Sequence, residues 1–257
     1  MKTVSLTNFN NYYGNELVDR CMRQGIGIDA IICIGEHVKF KDRRIFWEYT
    51  NFAEGLHLVD LEKYGIPIYI FKDINSKFAL KKLNELQPDL LLQAGAGILK
   101  KEVIGLPKIG IINSHPGILP KYRGSMAVEW SIFNDDPVGA TCHFVDEGID
   151  TGPIICSQRM RITRGMDYHD VRFKAFSHQM DVMIEGIRKI QNGLRHKDAQ
   201  PQTDGHCRKP MDAETLDKVK EMLNLQRYGH YADAAIVSLK KCVPSPLRGG
   251  LGRNPCI

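Results

Sequence analysis

The stretch GIINSHPGILPKYRG, residues 110–124, decides how this chain is read. It opens as an apolar run of the kind a buried strand needs, then stops on Asn113, Ser114, His115 and Pro116. Side chains alternate along an extended backbone, so Asn113 and His115, two residues apart, emerge on one side. Pro116 biases the residue before it away from the helical region and keeps His115 extended. A strand that ends in an amide and an imidazole places both at its carboxyl end, where open parallel sheets hold their ligands.

Working outward, short apolar runs at 3–6, 30–34, 67–71, 90–93, 109–113, 140–145 and 154–157 read as strands. Helical patterns at 16–24, 76–86 and 126–133 lie between several of them. Phe173, Phe176, Met180, Met183, Ile187 and Ile190 recur every three or four residues, which predicts one helix over about 168–191, ended by Asn192-Gly193. Strands separated by helices predict an α/β fold, a Rossmann-like parallel or mostly parallel sheet with helices on both faces. After Gly193 the sequence LRHKDAQPQTDGHCRKPMDAET is polar and turn-rich, and Leu216, Val219, Met222 and Leu223 suggest one more short helix. The expected organisation is a main domain over 1–193, a small C-terminal extension or appendage over 194–240, and a disordered tail over 241–257, where CVPSPLRGGLGRNPCI offers little to bury.

The 257 residues, 43% apolar and 25% charged, suit one large domain with a sizeable core. The net charge of +5 fits an anionic small molecule and lacks the dense basic face of a nucleic-acid binder. No apolar run approaches the length of a membrane span, and the N-terminus MKTVSLTNFNNYYG lacks the apolar core of a secretory signal, so a cytoplasmic protein is expected. The seven cysteines contain no CxxC pair and read as free thiols in a reducing compartment; no metal site is expected.

A second segment adds chemistry. GATCHFVDEGIDTGPII, residues 139–155, carries His143 on a strand and then Asp146, Glu147 and Asp150 in a loop shaped by Gly148, Gly152 and Pro153. Together the two segments resemble the folate-dependent formyltransferases, a family that includes the glycinamide ribonucleotide, methionyl-tRNA and sugar-nucleotide enzymes. The order of Asn-x-His-Pro and a downstream Asp-x-Gly-Pro carries the likeness, and the strand pattern extends it over about residues 1–190.

The resemblance implies N10-formyltetrahydrofolate as co-substrate, with no metal. It implies Asn113, His115 and Asp150 as the catalytic residues, with His143 supporting Asp150 from behind. Asn113 and a protonated His115 would hold the oxyanion, and Asp150 would orient His115 and hold a relay water. LLQAGAGILKKEV, residues 91–103, matches the place where the family holds the pterin, with Ile98 and Leu99 at the matching positions. Val145, Gly148 and Ile149 would complete that pocket.

For the acceptor, the purine enzyme's Gly-Asn-Gly-Ser loop after the first strand is replaced by LTNFNNYYGNEL, and about fifty residues follow the last core helix where the transfer-RNA enzyme has a further domain. The resemblance is nearer to the sugar-nucleotide branch, which implies an amino-dideoxyhexose nucleotide as acceptor, with neither nucleic acid nor membrane as partner and a homodimer as an option. Tyr122, Arg123, Trp130, Arg208 and Lys209 are the candidates for binding it, and Phe9, Tyr12 and Tyr13 could stack on its base or sugar. Another acceptor such as glycinamide ribonucleotide, a formyltetrahydrofolate hydrolase, and a non-catalytic folate-binding module are the alternatives.

Overall fold

The computed structural model describes residues 1–9, 12–35 and 56–232. The tail expected over 241–257, residues 233–240 of the expected extension, and Cys242 and Cys256 lie outside the described residues.

In chain order the larger elements are β1 (Thr3–Asn8), α1 (Tyr12–Arg23), β2 (Ala30–Ile34), β3 (Ile68–Phe71), α2 (Lys77–Leu86), β4 (Leu90–Ala94), α3 (Lys101–Ile104), β5 (Gly110–His115), β6 (Tyr122–Gly124) and α4 (Ala127–Phe133). They are followed by β7 (Gly139–Phe144), β8 (Ile154–Arg159), β9 (Ile162–Thr163), α5 (Tyr168–Gln191), β10 (His206–Arg208), α6 (Ala213–Asn224) and β11 (Tyr231–Ala232). Seven strands form one sheet in the order β3-β2-β1-β4-β5-β7-β8. The five strands from β3 to β5 run parallel; β7 is antiparallel to β5, and β8 to β7. The sheet is therefore mostly parallel, and the strand order reverses between β1 and β4.

Alternation along the strands builds two apolar faces. Ile31, Leu90, Leu92, Ile112, Cys142 and Phe144 pack against Leu17, Val18 and Cys21 of α1 and Met180, Met183, Ile187 and Ile190 of α5. Val4, Leu6, Ile32, Leu91 and Ile111 point the other way, onto Leu83 of α2 and Val103 of α3. The same alternation puts Asn113 and His115 on the face of Ile111, and Ser114 on the face of Ile112. The aromatic pair expected in a loop instead opens α1: Tyr12 and Tyr13 are both buried, the first edge-on to His57 and the second to Phe176. Glycine at position 14 permits this, because a Cβ there would lie 2.1 Å from Thr7 Oγ1. At the start of α5, Phe173 is exposed, so its apolar stripe begins in effect at Phe176.

The segment after Gly193 packs onto the rest. Met211, Val219, Leu223 and Tyr228 join Val128 and Ile132 of α4 and Tyr168 and Val171 of α5 in a third buried cluster. Strand β10 pairs with β6. Cys21, Cys33, Cys142 and Cys156 are buried free thiols, and Cys207 is exposed.

Helix α5 approaches β7 through Gly186, where a Cβ would lie 2.3 Å from Cys142 Sγ. Alanine there gains about 1 kcal/mol of helix propensity, whereas overpacking costs about 1–3 kcal/mol. Gly186→Ala is therefore expected to lower the thermal midpoint, and the double variant Gly186→Ala/Cys142→Ala to recover much of the loss. A midpoint raised by Gly186→Ala alone would contradict this packing.

Candidate active site

The site begins with a register. Gln93 of β4 pairs with Asn113 of β5, and Asn113 with His143 of β7. Three polar side chains thus stand abreast across three strands, on the sheet face that otherwise carries Leu91 and Ile111. They floor a cleft of about 580 Å³, its open mouth included. Gly97, Ile98 and Leu99 form one wall, and Val145 through Asp150 the other.

Both walls are tightly shaped. Gly95 and Gly97 take φ values of 97° and 88°, the left-handed region that glycine enters without strain. Gln93 Nε2 donates to Gly97 O at 2.5 Å. Asn75 holds the far end, donating to Ile98 O at 3.0 Å and accepting from Lys100 N at 2.8 Å. Leu99 is buried, whereas Ile98 is 84% and Ile149 58% exposed, so two large apolar side chains face each other's walls unburied. Across the cleft, Asp146 Oδ1 accepts from Gly148 N at 3.1 Å and Thr151 Oγ1 at 2.5 Å. The neck of that loop needs glycine at 152, since a Cβ there would fall 1.9 Å from Phe144 O.

Asp150 sits at the end of the loop with a left-handed φ of 54°. Its Oδ2 lies 3.3 Å from His115 Nδ1 and accepts from Gly124 N at 2.9 Å; its Oδ1 lies 3.5 Å from His143 Nε2. Asn113 Nδ2 is 3.4 Å from the same His143 nitrogen. The four expected residues are therefore brought together.

The two histidines flank Asp150, one at each of its oxygens. Both rings are buried, His143 2% and His115 5% exposed, and His143 lines the cleft beside Asn113 and Asp150. A backbone carbonyl fixes each ring. Tyr122 O is 2.6 Å from His115 Nε2, and Phe144 O is 2.7 Å from His143 Nδ1. A carbonyl only accepts, so each of those nitrogens keeps its hydrogen, and the second nitrogen of each ring is the one facing Asp150. Gly117 leaves room for this: a Cβ there would lie 2.8 Å from His115 Nε2.

Burial pushes the Asp150 carboxyl up, but His143, His115 and the Gly124 N–H outweigh it and hold the group at about 2. Burial pulls His115 down; Asp150 and the Tyr122 carbonyl oppose it, and the net position is below the ordinary 6.5.

The acceptor candidates are placed apart from the cleft lining. Tyr122 is buried and its hydroxyl donates to Asp136. Arg123 is buried, with Nε and Nη2 on Gln202 Oε1 at 3.1 and 2.9 Å. Trp130 Nε1 donates to Lys209 O at 3.0 Å. The Arg208 guanidinium lies 5.3 Å from the Trp130 ring and 5.9 Å from that of Tyr122, and Lys209 is exposed. Sequence reasoning did not single out Gln93 or Gln202. Gln93 carries a legible signal, a polar residue inside LLLQA; Gln202 carries none.

Comparison with known proteins follows this geometry. Residues 1–187 match the family described as formyl transferase. The methionyl-tRNA formyltransferase of Kosmotoga olearia is 33% identical over 133 residues, 51% of this chain and 43% of the relative. The chain spans about half the length, or less, of such curated relatives. Among solved structures, the phosphoribosylglycinamide formyltransferase of Anaplasma phagocytophilum superposes with a TM-score of 0.59 at 22% identity, over 80% of this chain and 96% of that one. A sugar N-formyltransferase from Shewanella superposes with a TM-score of 0.53 at 18% identity, over 88% of each chain.

Two outcomes test the geometry. By NMR of the imidazole nitrogens, His115 is expected to titrate below 6.5, and Asp150→Asn to move it lower still, because the anion that favours the charged ring is gone. A rise in Asp150→Asn would refute the pairing. Gly117→Ala is expected to break the contact to Tyr122 O and shift the His115 ring resonances, while Gly27→Ala, with open space around its Cβ, leaves them in place.

Proposed function

The chain belongs to the formyl transferase family, and we propose that it transfers a formyl group from N10-formyltetrahydrofolate to the primary amine of a nucleotide-linked amino sugar. The observation that carries the reaction is the cluster of Asn113, His143, Asp150 and His115 at one end of a cleft whose lips, Ile98 and Ile149, are exposed and apolar. Those lips and the backbone of the Gly95–Leu99 turn suit a flat heterocycle such as the pterin.

In this reading the acceptor nitrogen attacks the formyl carbon, a C–N bond forms, and negative charge collects on the formyl oxygen. The Asn113 amide donates to that oxygen, a preorganised donor in a partly dry site. The amine must then lose a proton and N10 of the folate must gain one as its bond to carbon breaks. His143 lines the cleft and holds Phe144 O through Nδ1, so its Nε2, beside Asn113 and Asp150, is one proposed acceptor of that proton. Asp150 stays ionised and steadies positive charge on either imidazole. His115 Nδ1, at the other oxygen of Asp150, is the second proposed proton site.

The acceptor is the finer part of the proposal. The first strand is followed by Asn8, Phe9, Asn10 and Asn11, not by a glycine-rich phosphate loop, which disfavours glycinamide ribonucleotide. The Shewanella sugar N-formyltransferase shares the chain's extent, 88% of each, which supports a sugar nucleotide. Arg208 and Lys209 are the proposed diphosphate contacts, as charged donors to phosphate oxygens. Phe9, 36% exposed, is the proposed stacking residue for a base; Tyr12 and Tyr13 are buried.

The test is tetrahydrofolate release from N10-formyltetrahydrofolate with amino-sugar nucleotides, glycinamide ribonucleotide, methionyl-tRNA or buffer alone. Release with an amino-sugar nucleotide only is expected. Release with methionyl-tRNA would overturn the acceptor, and release in buffer alone would make the protein a hydrolase. Asn113→Ala is expected to lower kcat by about 10²–10³-fold, and His143→Ala or Asp150→Ala by about 10²–10⁴-fold, each with an unchanged circular-dichroism spectrum. His115→Ala at full rate would remove that residue from the machinery.

A further inference from the structure

We propose that Gln202, which lies beyond residues 1–187 that match the family, is a positioning residue for Asp150, and that the strap from Gln200 to Arg208 is thereby a working part of the active site. The inference deepens the proposed formyl transfer and rests on it for its kinetic readout.

The strap is zipped to the active-site loop at one end and to β6 at the other. Gln200 and Ile154 exchange backbone hydrogen bonds of 2.7 and 2.9 Å just after the Asp150 loop. At the other end β10 pairs residue for residue with β6, His206 with Tyr122, Cys207 with Arg123 and Arg208 with Gly124. Gly205 is pressed against Pro120, where a Cβ would meet the carbonyl oxygen at 2.0 Å. Strand β6 supplies two groups of the site, Tyr122 O on His115 and Gly124 N on Asp150. The strap thus backs the strand that holds both members of the pair.

Between those ends stands Gln202. Its Nε2 donates to Asp150 O at 2.9 Å and to Gly152 O at 2.6 Å. Its Oε1 accepts from Arg123 Nε and Nη2, and Arg123 Nη2 also donates to Thr203 O at 2.8 Å. A primary amide has two donor hydrogens and two acceptor lone pairs, so all four positions are engaged. The residue it grips is in a left-handed conformation, φ 54°, that costs an aspartate energy and persists only where the surroundings impose it. Gln202 is the side chain whose contacts impose it. It bonds the carbonyls of residues 150 and 152 at once, while Arg123, itself buried, fixes the amide's orientation. The carboxylate position follows from the backbone so held, and the ion pairs with His115 and His143 depend on it.

Two substitutions separate this role from simple support. Gln202→Met keeps the length and removes both donors and the acceptor. Gln202→Glu keeps an acceptor for Arg123 and removes only the donors to the loop. Both are expected to lower kcat roughly 10–100-fold with a smaller change in KM for the folate. Lys197→Ala, an exposed position before the strap, is expected to behave as the unsubstituted chain. In Gln202→Met the NMR titration of His115 is expected to move to lower pH as Asp150 drifts away. Asp146 and Glu147, the other carboxylates of the cleft, sit on the half of the loop that Asp146 anchors through Gly148 and Thr151. The titration is read on Met alone, since Glu adds its own charge.

A lowered thermal midpoint with kcat and the His115 titration unchanged would overturn the proposal and leave the strap a support. If the unsubstituted chain turns over no acceptor, the formyl-transfer reading falls, and the His115 titration still decides the role of Gln202: a downward move upholds it, and an unmoved titration refutes it.

Discussion

A carboxylate taken largely out of water must be compensated or it will protonate, and most of the site can be derived from how Asp150 meets that demand. Its side chain keeps only 13% of its surface exposed. One oxygen is shared by His115 and the Gly124 N–H, and the other faces His143. Each partner in turn needs a fixed place, so His115 is tied to Tyr122 O and His143 to Phe144 O. The glycines at 117 and 152 follow from the same demand, one clearing the His115 ring and the other letting the loop neck close on Phe144 O. The sheet supplies the frame: β5 and β7 are neighbours, so residues thirty apart in sequence meet.

The charges have consequences of definite sign. Asp150 is held at about 2 in the fold and titrates near 3.8 when free, so its stabilising contribution is present above about 4 and is lost as pH falls from there to about 2. His115 sits below 6.5 in the fold because burial disfavours its cation. The unfolded chain therefore binds that proton first, and stability falls as pH drops through 6.5 toward the lowered folded value. Both groups weaken the fold on the acid side, in separate windows. Over the neutral range the pair is an anion beside a neutral ring, the state in which Asp150 can welcome a proton arriving on either histidine.

What could be read from the sequence follows the length scale of each interaction. The seven main strands were legible because each is a short apolar run closed by turn residues, and the mostly parallel order because helical patterns separate them. Asn113, His115 and Asp150 were legible because polar residues interrupt those runs at a strand end and in a glycine-shaped loop. How the two histidines share Asp150 was not legible: it depends on the register that sets His143 beside Asn113, and register is a property of two strands together. Tyr122 and Arg123 looked like ligand residues by type, yet both are buried and spend their polar atoms on Asp136 and Gln202. Sequence shows that a side chain can donate; only the fold shows to whom.

The segment after Gly193 shows the same limit from the other side. Its composition is polar, which reads as an appendage, and a polar segment buries little area. It is held instead by backbone pairing of β10 with β6, by the Gln200–Ile154 exchange, and by the apolar face of α6 against α4. Such pairing leaves almost no compositional trace, because any residue but proline can donate its N–H. A glutamine is also suited to the task by its neutrality. A lysine at 202 could donate to the two carbonyls but would face Arg123 with like charge, and a glutamate could accept from Arg123 but would repel the carbonyls. A primary amide offers two donors and a two-lone-pair acceptor without adding charge beside Asp150, whose balance with two histidines the site depends on; a hydroxyl has one donor only.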